Sequence, residues 1–280
     1  MKLAINYSPA AAKLVQEDNL PIDRFKCPDW PWMVEEAMPL KPVAVHFTLS
    51  AGSGRLHETD WELVERLMQQ TGTPYVNLHI DPLQKDFPGI PLDTTDPAHV
   101  ELVAERLVQD VSAVVERFGA EKVIAENVTY YGPDDPKIAT HDKTLRPGVL
   151  PEVINRLLDE TGCGLLLDIP HARIASHYLG IDEREYFNSL PVDRIKEMHV
   201  TGLHTLEDGY LQDHLPMLDS DWPRLDWVLK RIDSGEWAKP WMLAFEYGGV
   251  GKKFEWRSDP QVIAAQVPKL AQRLNGFLRI

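Results

Sequence analysis

The chain has 280 residues, 44% of them hydrophobic, and a formal net charge of −14. That size suits one large α/β domain, so a single domain over residues 1–280 is expected. The acidity has no basic cluster to offset it, which argues against a nucleic-acid partner, and no apolar run is long enough to span a bilayer.

Cys27 and Cys163 stand far apart, and MKLAINYSP has no signal-peptide core. A reducing, cytoplasmic compartment is therefore expected. Leu3–Tyr7 reads as a short strand, followed by Ser8-Pro9 and the helix-prone AAAKLVQ. Arg24–Pro28 is a weaker strand, and a short helix follows the aromatic stretch Asp29–Met33. Val43–Thr48 is the third strand, with a Ser-Gly loop after it. Thr59 and Glu62 predict a capping box for a helix that Gly72 ends.

Tyr75–Ile80 is the fourth strand, and Asp81–Thr95 a loop. Asp96-Pro97 opens a long helix whose buried stripe is Val100, Val103, Leu107, Val111, Val114 and Phe118. Lys122–Val128 is strand five, followed by the polar loop Tyr130–Arg146. Pro151–Thr161 is a helix ended by Gly162. Gly164–Ala172, GLLLDIPHA, reads as an apolar strand ending in Asp168 with His171 just beyond.

Asp182–Leu190 is a short helix, Lys196–Thr201 strand seven, and Gly202–Asp219 a long polar loop. Trp222–Ile232 is a helix, Trp241–Tyr247 strand eight, and Gly248–Arg257 its following loop. Asp259-Pro260 opens the last helix. About eight strand–helix units alternate, which predicts a (β/α)8 TIM barrel. A doubly wound sheet is the second architecture, weakened because no GxGxxG turn follows strand one.

In such a barrel, catalytic groups sit at the carboxyl ends of the strands. Strands three to eight each end near one acid or imidazole: His46, His79, Glu126, Asp168, His199 and Glu246. His171, Asp213 and His214 lie in the loops nearby. Nitrogen and oxygen donors without thiolates suit iron, manganese or zinc. A lone strand histidine is more often a hydrogen-bonded core residue than a ligand. Repetition at the same end of successive strands is what favours metal, and we expect these residues to converge on one cavity holding at least two ions. Glu126 and Glu246 are candidates to move protons.

Softer candidates are Asn127, His204, and the cations His141, Lys143, Arg146, Lys252, Lys253 and Arg257, which either meet an anionic substrate or are solvated. His57, His99 and His177 read as surface positions, and Cys27 as a buried structural thiol. No GxSxG elbow supports acyl-enzyme chemistry.

The segments VHFTLSAGSG, ENVTYY, LLLDIPHA, DRIKEMHVTG and LAFEYGG resemble, in order and spacing, the multinuclear non-heme iron-dependent oxidative enzymes, a branch of the xylose-isomerase-like barrels. The resemblance implies two or three iron ions on His and carboxylate ligands, and oxidation by dioxygen of a substrate that is often a residue of a ribosomally made peptide. It departs at His171, where many members have Asn, and at Gln212-Asp213-His214-Leu215, where an Asp-x-His pair is usual. Adjacent side chains on an extended segment diverge, and Pro216 restricts the backbone before it. His214 is therefore expected to reach a metal and Asp213 to orient a neighbour or act in catalysis.

The expected partners are a small-molecule or peptide substrate and a separate peptide-recognition protein, since no leader-binding domain is visible. The second functional class is a redox-neutral zinc or manganese enzyme of the same superfamily, a sugar isomerase, epimerase or hydrolase. A binding module without chemistry matches so many buried ionisable groups poorly.

Overall fold

The computed structural model describes residues 1–277. Its strands are β1 (Lys2–Asn6), β2 (Arg24–Pro28), β3 (Val43–His46), β4 (Leu49–Ala51), β5 (Val76–Ile80), β6 (Val123–Glu126), β7 (Gly164–Asp168), β8 (Ile195–Val200), β9 (Gly202–Thr205), β10 (Leu211–Leu215) and β11 (Met242–Phe245). Its helices are α1 (Pro9–Gln16), α2 (Pro31–Ala37), α3 (Trp61–Thr71), α4 (Pro97–Phe118), α5 (Pro151–Thr161), α6 (Ile169–Leu179), α7 (Glu183–Ser189), α8 (Asp221–Asp233) and α9 (Pro260–Phe277).

The chain forms two compact units. The first comprises Met1–His46, Glu65–Thr73 and everything from Lys196 onward; the second comprises Phe47–Val64 and Pro74–Ile195. In the first unit, parallel strands lie in the order β3-β2-β1-β11-β8. Their apolar runs are buried on both faces, as parallel strands with helical crossovers require. In the second unit the order is β7-β6-β5-β4, again parallel. Leu165, Leu166 and Leu167 of β7 are all fully buried.

The helix boundaries follow local chemistry. Asp96 accepts from the Ala98 amide at 2.9 Å, and Pro97 opens α4. Gly162 ends α5 in the left-handed conformation at φ 72°. The expected Thr59 capping box is not formed. Asp60 caps α3 instead, its Oδ1 accepting from the Leu63 amide at 3.0 Å.

Three further expectations change. The stretch 43–48 is not one strand: β3 pairs with β2, while Leu49–Ala51, expected as loop, pairs with β5. The strand ending in Asp168 stops there, because Asp168 caps a helix, α6, that begins at Ile169 with Pro170 in its first turn. His171 thus rides on the first turn of a helix rather than in a loop. The expected polar loop 202–219 contains the antiparallel hairpin β9–β10.

That hairpin requires glycine at its start. A Cβ on Gly202 would run into the Pro216 backbone carbonyl. Gly202→Ala is expected to destabilise the protein by about 1–3 kcal/mol, the usual cost of a forced backbone shift, measured by denaturant unfolding. An unchanged midpoint would show that the hairpin is looser than described.

Candidate metal centre

In the second unit, three groups gather at the exits of β5, β6 and β7. Glu126 is 1% exposed. Its Oε2 lies 3.4 Å from His79 Nε2, and its Oε1 lies 3.8 Å from His171 Nδ1. His79 Nδ1 is 3.0 Å from the Leu49 carbonyl oxygen, and His171 Nδ1 is 3.0 Å from that of Asn127. A carbonyl oxygen only accepts, so each Nδ1 carries the proton. Nε2 is then the nitrogen left to meet another group, as a lone-pair donor in the neutral ring. For His79 that nitrogen faces a buried carboxylate oxygen, a contact that a proton or a metal ion between them satisfies.

Asp168 Oδ1 accepts from the His171 amide at 2.7 Å as the α6 cap and lies 3.6 Å from His171 Nδ1. Asn127 bonds both backbone groups of Asp168 at 2.9 Å, so its role is to fix the β6 and β7 exits together.

In the first unit, His46, His199 and Glu246 have donor atoms all within 4.8 Å of one another. His199 Nδ1 is 3.2 Å from Glu246 Oε1, and the His46 and His199 rings are 5.3 Å apart. His214 Nδ1 is 3.0 Å from the Glu246 carbonyl oxygen, which again leaves Nε2 with the lone pair.

The expected divergence of Asp213 and His214 does not occur. A register shift interrupts the β9–β10 ladder between Gln212 and Leu215, and His214 adopts φ 54°. This bulge brings Asp213 Oδ2 to 3.9 Å from His214 Nε2. A left-handed non-glycine residue costs about 1–2 kcal/mol, and such strain concentrates at functional sites.

Lys26 and Glu197 are not among the residues that the sequence singles out. Both are buried, and they pair with each other. Glu197 Oε2 also accepts from Trp241 Nε1 at 3.0 Å, and its Oε1 is 3.2 Å from His199 Nε2. Burial alone would raise the Glu197 carboxyl. The Lys26 ammonium, aided by His199, outweighs burial and holds the carboxyl at about 2. The available signal was a charge within each strand among apolar residues that pack inward, Lys26 in RFKCP and Glu197 in IKEMHV.

Arg257 was singled out only as a loop cation. Its guanidinium stacks over Phe254 at 4.7 Å, with Nε buried. Burial lowers its pKa against the opposing pull of Glu246 and Asp213. At the β5 exit, Asp81 accepts from Thr144 at 2.6 Å, and burial pushes its carboxyl up.

Other candidates are structural. His204 Nε2 bonds the Pro216 carbonyl at 2.7 Å, and Lys143 donates to the Pro133 carbonyl at 2.6 Å. Cys27 and Cys163 are buried free thiols, both pushed up by burial. Among the described residues no helix is long and apolar enough to cross a membrane.

Two solved structures share the fold. One is a xylose isomerase domain containing protein from Salmonella typhimurium, with TM-score 0.55, 16% identity, and coverage of 98% of this chain and 97% of that one. The other is a xylose isomerase-like TIM barrel protein from Mycobacterium smegmatis in complex with magnesium, with TM-score 0.55, 14% identity, and coverage of 99% and 98%. The fold is thus the TIM barrel expected from the strand–helix alternation, of the xylose-isomerase-like kind that the resemblance implied.

Within that class, residues 33–234 match the family described as RiPP precursor modification enzyme MbnB/TglH/ChrH, and the chain belongs to it. The kinship read from the strand-exit motifs is borne out. A UPF0276 protein of Acaryochloris marina is 28% identical over 169 residues, which is 60% of this chain and 51% of that protein. The chain spans about half the length of the curated relatives it matches.

The Lys26–Glu197 pair makes a direct prediction. Lys26→Met leaves a buried carboxylate without its ammonium and is expected to cost about 3–5 kcal/mol. Adding Glu197→Gln should recover most of that loss. Because the Glu197 carboxyl is depressed from 4.5 to about 2, its contribution is present above pH 4.5 and lost as the pH falls through about 2. Denaturant unfolding from pH 7 to 2 should therefore show a steeper acid loss in the natural protein than in the double variant. Parallel curves would contradict the pairing.

Proposed function

We propose that this chain is an iron-dependent oxidative enzyme that modifies a ribosomally made peptide with dioxygen. The observation that carries the metal reading is the tautomer pattern. His79, His171 and His214 each commit Nδ1–H to a backbone carbonyl, which presents Nε2 as a donor. That is how proteins orient metal-binding imidazoles. The donor set of nitrogen and carboxylate oxygen, with both thiols buried elsewhere, fits iron, with zinc or manganese as alternatives.

The residues proposed to hold metal are His46, His79, Glu126, Asp168, His171, His199, His214 and Glu246. Iron, when bound, supplies one-electron exchange with dioxygen, which no side chain here can supply. The chain's own residues do the rest. Glu126, Glu246 and Asp213 would take and return protons. Arg257, oriented by Phe254, offers a guanidinium fork to an anionic group of the substrate. Family membership supports a peptide substrate. The redox-neutral isomerase reading has only likeness of fold behind it, and fold alone does not assign chemistry.

The test is anaerobic loading with Fe(II) followed by exposure to air. The proposal expects a visible absorption band and oxygen uptake that depend on iron. A protein that takes up iron yet shows neither would be a redox-neutral metal enzyme. A second expectation concerns the bulge, where Asp213 and His214 lie side by side: His214→Ala should remove or loosen one ion, and metal content in Asp213→Asn tells whether the carboxylate shares that ion or only tunes the imidazole. Equal metal loss in both variants would make them paired ligands.

A further inference from the structure

We propose that Glu197, held in place by Lys26 and Trp241, is the positioning residue that presents Nδ1 of His199 to a metal ion. The inference rests on the metal reading above and adds three side chains that it does not contain.

Glu197 and His199 are two residues apart on β8, so their side chains share one face of the strand. The imidazole stands between two carboxylates. Nε2 is 3.2 Å from Glu197 Oε1, and Nδ1 is 3.2 Å from Glu246 Oε1. A neutral imidazole has one N–H, so it cannot donate to both. Lys26 also touches Nε2, and an ammonium only donates. That contact is a hydrogen bond when Nε2 is the acceptor, which places the proton on Nδ1 toward Glu246. With a metal at Nδ1 the proton must sit on Nε2. Glu197 Oε1 is there to accept it, and Lys26 then pairs with Glu197 alone. Changing tautomer therefore requires only that the Lys26 ammonium give up Nε2 and keep its pair with Glu197, while Glu197 Oε1 accepts from the ring.

Two features set this arrangement apart from an ordinary structural ion pair. A buried pair is seldom worth its desolvation, and apolar side chains of similar size often stabilise as well or better. Stability therefore does not explain why charges are kept inside β2 and β8. His199 also differs from His79, His171 and His214, which lean on neutral backbone carbonyls. An ionised carboxylate behind the ring makes the opposite nitrogen a stronger donor. Trp241 Nε1 holds Oε2 and so fixes which oxygen faces the ring.

The experiment titrates the metal-free full-length protein with Co(II), following the visible d–d absorption against a competing chelator, and records thermal unfolding of the same samples. The variants are Lys26→Met/Glu197→Gln, which removes both charges at once, and Trp241→Phe, which removes one hydrogen bond and leaves the charges. The double variant is expected to stay folded, to bind Co(II) about 10- to 100-fold more weakly, and to show an altered d–d spectrum. Trp241→Phe is expected to weaken binding about 3- to 10-fold, and it decides the question if the double variant does not fold. Wild-type affinity and spectrum in a folded variant would overturn the inference while leaving the metal reading intact. Failure of the natural protein to bind Co(II) would overturn both.

Discussion

The interaction on which the rest depends is an imidazole nitrogen facing a buried carboxylate oxygen. His79 faces Glu126 at 3.4 Å, with its other nitrogen already committed as a donor. His199 faces Glu246 at 3.2 Å under the same constraint whenever Glu197 accepts from Nε2. A lone pair set against an anion in a buried place is unfavourable unless a proton or a metal ion joins them. Each unit of the chain contains such a contact. A backbone carbonyl holds the His79 ring in that pose, and the Glu197 carboxylate lies behind the His199 ring.

The supports are built from ordinary local chemistry. Strands buried on both faces tolerate a polar group chiefly at their ends, where the chain turns toward solvent. Asp168 ends β7 by capping α6, which fixes one of its oxygens and the place of His171 together. The β9–β10 bulge places Asp213 and His214 side by side at the cost of a left-handed histidine. Thr201 steadies that bulge by accepting from the His214 amide at 3.2 Å.

Much of this was legible in the sequence. The alternation of apolar runs with amphipathic helices announced the barrel class. The Asp96-Pro97 and Gly162 boundaries were read correctly because each signal is local. The strand-exit acids and histidines stood out because they interrupt apolar runs at a constant place. What stayed hidden was set by tertiary geometry. Helix α6 was missed because Asp168-Ile169-Pro170 reads equally well as a strand running into a turn. The bulge was missed because it depends on how β10 meets β9. Lys26 and Glu197 are separated by 171 positions, and nothing local pairs them. Tautomers are set by which carbonyl lies behind each ring, and the sequence does not contain that.

The most direct test of the account is a count of metal ions per chain by elemental analysis, on protein purified anaerobically from iron-replete cells. The account predicts two or three iron ions per chain. A protein that carries no transition metal, and retains none after dialysis against Fe(II), would contradict it.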